Sequence, residues 1–178
     1  MNTREHHLVE LVGTDGSPIG ETTVDEAHRA PGRLHRAFSV LLISPDGRLL
    51  LQQRAAVKTR FALRWANTCC GHPTPGEAVT EAAGRRLVEE LGVTAVPLTE
   101  VGVFVYQAGD PDSGRVEFEY DHVLVGAFSG EPSAVDPAEV AAVEWVAPDE
   151  LTVALARSPE LYAPWLAGVV DAWRSSGR

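Results

Sequence analysis

Residues 71–93, GHPTPGEAVTEAAGRRLVEELGV, join a loop rich in glycine and proline to a short helix, and the reading of the whole chain turns on them. Gly71, Pro73, Pro75 and Gly76 shape a tight backbone turn. From about Thr80 to Leu91 the pattern is helical, and Gly92 supplies the C-terminal stop. Arg85 with Glu89, and Arg86 with Glu90, stand four apart, so each pair can meet on one helix face. Two surface ion pairs are the plainer reading, and such pairs contribute little. The loop favours another, because hard carboxylate oxygens beside such a turn commonly hold Mg²⁺ together with substrate phosphates. Cys70 and His72 add a thiol and an imidazole at the mouth of the same loop.

Outward from this segment the chain mixes strands and helices. HLVELVG followed by Asp15-Gly16 reads as a strand and turn; His35–Ile43, Asp46-Gly47 and Arg48–Gln53 read as a hairpin. Ala55–Arg64 is polar enough for a loop, and RWANTCC returns to extended structure. Glu100–Ala108, the turn GDPDSG and Arg115–Phe128 form a second long hairpin. A short strand near Val143–Val146 precedes two helices that start near Pro148 and Pro159. No regular βαβ alternation is present, which favours an α+β fold over a doubly wound sheet.

Composition narrows the function classes. At 178 residues the chain has room for one domain with a sizeable core. Its net charge of −10 argues against a broad nucleic-acid surface or a polybasic membrane patch. An anionic ligand would therefore need a local basic cluster and metal, for which Arg54, Lys58 and Arg86 are candidates. There is no signal-like start and no apolar run of the roughly 18–20 residues that cross a bilayer. The two cysteines are the neighbours Cys69 and Cys70, so a disulfide framework is not expected and a reduced, cytoplasmic setting is.

Glu117 and Glu119 stand two apart on a strand and so converge on one face, with Val116, Phe118 and Tyr120 expected as core on the other. Three histidines in separate segments, His28, His35 and His72, could meet those carboxylates, a ligand set suited to Mn²⁺, Zn²⁺ or Fe²⁺. His6 and His7 sit near the terminus, and His122 points away from the glutamates. Of the two thiols, Cys69 suits the buried apolar role and Cys70 an acid–base or nucleophilic one. Trp165 reads as core, although a tryptophan face can also stabilise a cation.

Residues 71–93 resemble the Nudix box: Gly71, Glu77, Arg85, Leu87, Glu89, Glu90, Gly92 and Val93 all fit it. Position 86 departs, since the hydrolases carry a metal-binding glutamate where this chain has Arg86. The type I isopentenyl-diphosphate isomerases of that superfamily show the same departure, and the wider resemblance to them runs from about His28 to Trp165. Its pieces include Leu34-His35, Ala37-Phe38-Ser39, Arg54 with Lys58, Trp65 through Asn67 to Pro73, Tyr106, Glu117-x-Glu119 and Pro164-Trp165.

The resemblance implies a single Nudix-like domain over 1–178, a mixed β-sheet sandwiched by helices with its motif core at about 28–165. It implies reversible conversion of isopentenyl diphosphate to dimethylallyl diphosphate, by protonation and deprotonation through a tertiary carbocation. His28, His35, His72, Glu117 and Glu119 would hold one metal, Mn²⁺ or Zn²⁺, and Glu90 would help hold Mg²⁺ against the diphosphate. Arg54, Lys58 and Arg86 would supply charge, Trp165 a π face, and Cys70 and Glu119 the proton-transferring pair, assisted by Tyr106. The partner expected is this small isoprenoid diphosphate, with no nucleic acid or membrane, and the protein a monomer or weak homodimer. A Nudix-type diphosphate hydrolase is opposed by Arg86, and a non-catalytic diphosphate-binding domain by the pairing of Cys70 with Glu119. Two positions depart from the isomerases. Val24 replaces a lysine that usually contacts the diphosphate, with Arg29, Arg33 or Arg60 as candidates to compensate, and Ala62-Leu63-Arg64 replaces the usual Pro-Gly before Trp65. A raised KM with kcat retained is the expectation.

Overall fold

The computed structural model describes residues 3–177. Its centre is β3 (His35–Ile43), nearly all of whose residues are buried. β8 (Val116–Ala127) lies parallel to it in continuous register from His35 opposite Glu119 to Ile43 opposite Ala127. β1 (Leu8–Val12), β4 (Leu49–Arg54) and β6 (Cys69–Gly71) also pair with β3, all antiparallel. The remaining strands of this nine-stranded mixed sheet are β2 (Pro18–Thr23), β5 (Trp65–Ala66), β7 (Thr99–Gly109) and β9 (Val140–Val146).

Helices cover both faces. α2 (Val79–Leu91) buries Val79, Ala82, Ala83, Arg86, Leu87, Glu90 and Leu91, a stripe at helical spacing. It packs on Phe38, Val40 and Leu42, the residues of β3 that alternate towards that side. Fully burying a leucine such as Leu87 or Leu91 contributes roughly 1.5–3 kcal/mol. The opposite face carries Leu41, Leu49, Leu51 and Val123 against α3 (Pro148–Arg157) and α4 (Leu166–Ser175). The fold is thus α+β, a mixed sheet sandwiched by helices.

The expected elements are present with instructive differences. The helix expected near Pro159 is only a 3-10 turn over Pro159–Leu161, and α4 begins at Leu166. Tyr162 is instead extended and bridges to Trp65, and proline at 164 disfavours helix in the residue before it. β2 and the four-residue α1 (Val24–Ala27, capped by Thr23) had no apolar periodicity to announce them. β2 is mostly exposed, and α1 is barely one turn long. No helix among the described residues is long and apolar enough to cross a membrane.

Candidate active site

Strand register assembles the site. The parallel pairing sets His35 opposite Glu119, and on the other side of β8 the antiparallel pairing sets Tyr106 of β7 opposite the same Glu119. β6 places Cys70 opposite Ser39 of β3. Alternation along β6 sends Cys69 into the core under α2 and leaves Cys70 on the other face, lining a cavity of about 320 Å³. Along β8, Glu117, Glu119 and Asp121 are buried, whereas Val116, Phe118 and Tyr120 are only half-buried. The expectation that the apolar set forms the core is therefore reversed. The apolar face meets the turns at Gly32 and Gly16, close enough that an added Cβ would strike Val116 and Tyr120. The carboxylate face is enclosed by the loop around Arg60 and by the N-terminal segment.

The three imidazoles do converge on the two glutamates. One ligand atom from each of His28, His35, His72, Glu117 and Glu119 lies within 4.8 Å of all the others. His28 Nε2 is 2.7 Å from Glu117 Oε2, and His72 Nε2 is 2.9 Å from Glu119 Oε1. His35 Nε2 is buried at 3.6 Å from Glu119 Oε1 and makes no hydrogen bond among the described residues. The Nδ1 atoms of His28 and His35 each donate to a backbone carbonyl, of Val24 and Arg33, at 2.7 Å. Such bonds aim both Nε2 atoms into the cluster, the arrangement that supports a metal-ligating imidazole. An unpartnered buried nitrogen beside two carboxylates fits a divalent cation.

The electrostatics agree. Burial pulls His72 down to about 4, so it is neutral at pH 7. Burial and the Glu117 carboxylate push Glu119 up, yet the imidazoles of His35 and His72 bring it down to about 2. Glu117, despite burial, lies well below the usual carboxylate range because His28 and Arg60 face it. His28 moves the other way: burial lowers it, but Glu117 more than compensates and raises it. Apart from His28, these are the protonation states that a metal requires of its ligands.

Around the cluster stand groups suited to proton transfer. Burial raises Cys70 to about 12, against the opposing charge of Arg54, whose Nη1 lies 3.7 Å from the sulfur. Tyr106 donates its hydroxyl to Glu119 Oε2 at 2.6 Å, and burial with the Glu119 charge holds that phenol well above its ordinary value. Trp165 lines the same cavity, with Tyr106 at 6.0 Å, the edge of Phe61 at 5.4 Å and the Arg54 guanidinium 5.3 Å from its ring centroid.

Arg54, Lys58 and Arg86 line the cavity as well. Arg86 and Glu90 share the buried stripe of α2, so their ion pair is internal, whereas Arg85–Glu89 is the surface pair. Arg86 also meets Glu89 at 2.9 Å and Glu139 at 3.4 Å, and Lys58 meets Glu139 at 2.5 Å. Glu139 is a residue that sequence reasoning did not place in the site, and Arg60, expected there only as a compensating cation for the diphosphate, also meets a carboxylate of the cluster. Arg60 donates to Glu117 Oε1 at 3.0 Å and to Glu5. Val24 lines the cavity in the place of the family's lysine, while Arg29 is held at the surface by Asp25 and Glu26. His7, set aside as terminal, also reaches the cavity, and His122 pairs with Glu100 on the far face as expected. One region thus brings together a cluster of imidazoles and carboxylates that could hold a metal, basic side chains, a thiol and a phenol beside an indole.

Residues 33–169 match the NUDIX domain family. The chain is 61% identical to an isopentenyl-diphosphate Delta-isomerase of Nocardia farcinica, over 92% of each chain. It is 48% identical to the enzyme of that name from Streptomyces coelicolor, over 99% of this chain and 88% of the relative. Among solved structures, a Deinococcus radiodurans protein superimposes with a TM-score of 0.75 at 23% identity, covering 97% of this chain and 100% of that one, a likeness of fold.

Proposed function

This chain belongs to the NUDIX domain family and, within it, to the isopentenyl-diphosphate Delta-isomerases, and from that premise we propose how its own residues carry out the reaction. It interconverts isopentenyl and dimethylallyl diphosphate as one domain, with the site core between His28 and Trp165. The observation that carries the reading is the sharing of one cavity by Cys70, Glu119 and Trp165. Hydrolysis needs no such proton relay.

Moving the double bond adds a proton to one alkene carbon and removes a proton from another. Cys70 and Glu119 are the pair on either side of the tail. At neutral pH the thiol holds its proton and the carboxylate does not, so a donor and an acceptor stand ready together. Tyr106 supports Glu119 through its hydroxyl. The tertiary cation formed between the two transfers faces Trp165, whose indole stabilises it, and such a species needs surroundings poor in water. Positioned proton transfer contributes roughly 10²–10⁴-fold, so electrostatic stabilisation of that cation carries much of the remainder.

Mn²⁺ or Zn²⁺, held by His28, His35, His72, Glu117 and Glu119, would supply fixed positive charge that tunes Glu119. Mg²⁺ would join the diphosphate near Glu90 and offset its charge. Arg54, Lys58 and Arg86 receive the diphosphate, Lys58 and Arg86 by exchanging their present carboxylate partners for its oxygens. With Val24 in place of a lysine, Arg60 is the one of Arg29, Arg33 and Arg60 that lines the cavity.

Steady-state assays of Cys70→Ala and Glu119→Gln test the assignment. Each variant is expected to lose at least about 10²-fold in turnover of isopentenyl diphosphate. Near-native turnover in either would overturn the proton-transfer pair.

A further inference from the structure

Asn67 lies between β5 and β6, fully buried, and takes no part in the metal cluster or the basic wall. Its carboxamide oxygen accepts the indole N–H of Trp165 at 3.0 Å. Its amide nitrogen donates to the carbonyl of Cys69 at 2.7 Å and to that of Val40 at 3.3 Å. The orientation is forced. Both neighbours of the nitrogen are carbonyls, which only accept, and the neighbour of the oxygen is an indole N–H, which only donates. A flipped amide would present the wrong polarity to all three.

We propose that Asn67 is a positioning residue that locks Trp165 and Cys70 into one rigid unit, fixing the indole face relative to the thiol across the substrate tail. One end of the amide holds the ring; the other holds the peptide that carries Cys70. Val40 in β3 anchors the amide to the centre of the sheet. From the cavity side Arg54 touches the same pair, at 3.7 Å from the sulfur and 5.3 Å from the ring centroid. A bare buried amide would only cost desolvation, and here it is matched at both ends. The inference rests on the isomerase reading, because only a cation formed beside a thiol needs these two groups in fixed register.

A double-mutant cycle of Asn67→Ala and Trp165→Phe, assayed with isopentenyl diphosphate, tests it. Phenylalanine keeps a ring but has no N–H for Asn67 to hold. The single Asn67→Ala variant is expected to lose roughly 10–100-fold in kcat, the scale of an approximately 1 Å misplacement, with KM within about twofold of wild type. In the Trp165→Phe background the same change should cost clearly less, giving a non-additive cycle. Asn67→Ser serves the same purpose should the alanine variant not fold. Unchanged kcat in a folded variant, strictly additive losses, or parallel loss of kcat, KM and metal content would each overturn the positioning role. An inactive wild-type protein would overturn the isomerase reading and this inference with it. An active wild type with an unaffected Asn67 variant would overturn only the latter.

Discussion

Cys70 and Glu119 share a cavity yet hold their protons in opposite senses, the thiol pushed to about 12 and the carboxylate down to about 2. Burial acts on both in the same direction, and only Glu119 has imidazoles close enough to outweigh it. Alkylation of Cys70 by iodoacetamide should therefore rise with pH towards a midpoint near 12, far above the ordinary thiol value of 9.0. A midpoint at or below 9 would contradict a proton-holding thiol. At this scale much of the site was legible in the sequence. Imidazole and carboxylate side chains announce metal chemistry by type, and position along the chain and on the strand sorted them from His6, His7 and His122. Glu139 and the carboxylate partners of Arg60 were not legible, because Lys58–Glu139 and Arg60–Glu5 join residues 81 and 55 positions apart and leave no local pattern. The burial of Glu117 and Glu119 was misread for a related reason. Alternation shows that two faces differ, but which face is enclosed depends on segments far away in sequence.

Among the elements, α2 shows how the charged residues of a helix can be internal. Its buried stripe includes Arg86 and Glu90, so the residues proposed to meet the diphosphate and its metal are packed like core. It ends at Gly92 with φ +63°, where an added Cβ would lie 2.6 Å from Ser133 Oγ and 2.7 Å from the Ala134 nitrogen. Gly92→Ala should therefore destabilise by more than the roughly 1–2 kcal/mol of left-handed backbone alone, measured by chemical denaturation. An unchanged midpoint would contradict the crowding. The loop over the cavity has the opposite fault. Leu63 has φ +62° and is half exposed, in the place where the isomerases usually carry glycine. Left-handed strain of about 1–2 kcal/mol, less the roughly 0.5–1 kcal/mol entropy cost of glycine, predicts a gain from Leu63→Gly. With about 2–4 °C per kcal/mol in a domain of this size, the melting temperature should rise by a few degrees. A fall would mean that Leu63 packs in a way its exposure hides. The loop keeps its course through Arg54, which donates to the carbonyls of Arg60 and Phe61. Long strands and α2 were legible because their apolar periods run over several turns or pleats. β2, α1 and the late start of α4 were not, since each is set by tertiary contact or by proline.

For the molecule as a whole, the cluster of imidazoles and carboxylates couples stability to pH and metal. His72 falls from 6.5 to about 4 on folding, so the unfolded chain takes up its proton first. Stability is therefore full above 6.5 and lost as the pH falls from there towards 4, with Glu119 adding a further loss from 4.5 down to about 2. His28, raised on folding, acts oppositely, contributing below 6.5 and losing that contribution as pH rises through its folded value. In metal-free protein, His72→Gln should flatten the decline of melting temperature between pH 6.5 and 4, and an unaltered decline would contradict this. A divalent cation at about 100 times its Kd should stabilise by about 2.7 kcal/mol, and a chelator should reverse the effect. The central claim is that the pocket moves protons on the tail and leaves the diphosphate whole. Incubation with isopentenyl diphosphate and Mg²⁺ in D₂O, followed by NMR and phosphate release, tests it most directly. The account predicts deuterium in dimethylallyl diphosphate with the diphosphate intact; released phosphate, or isomerisation without deuterium, would contradict it.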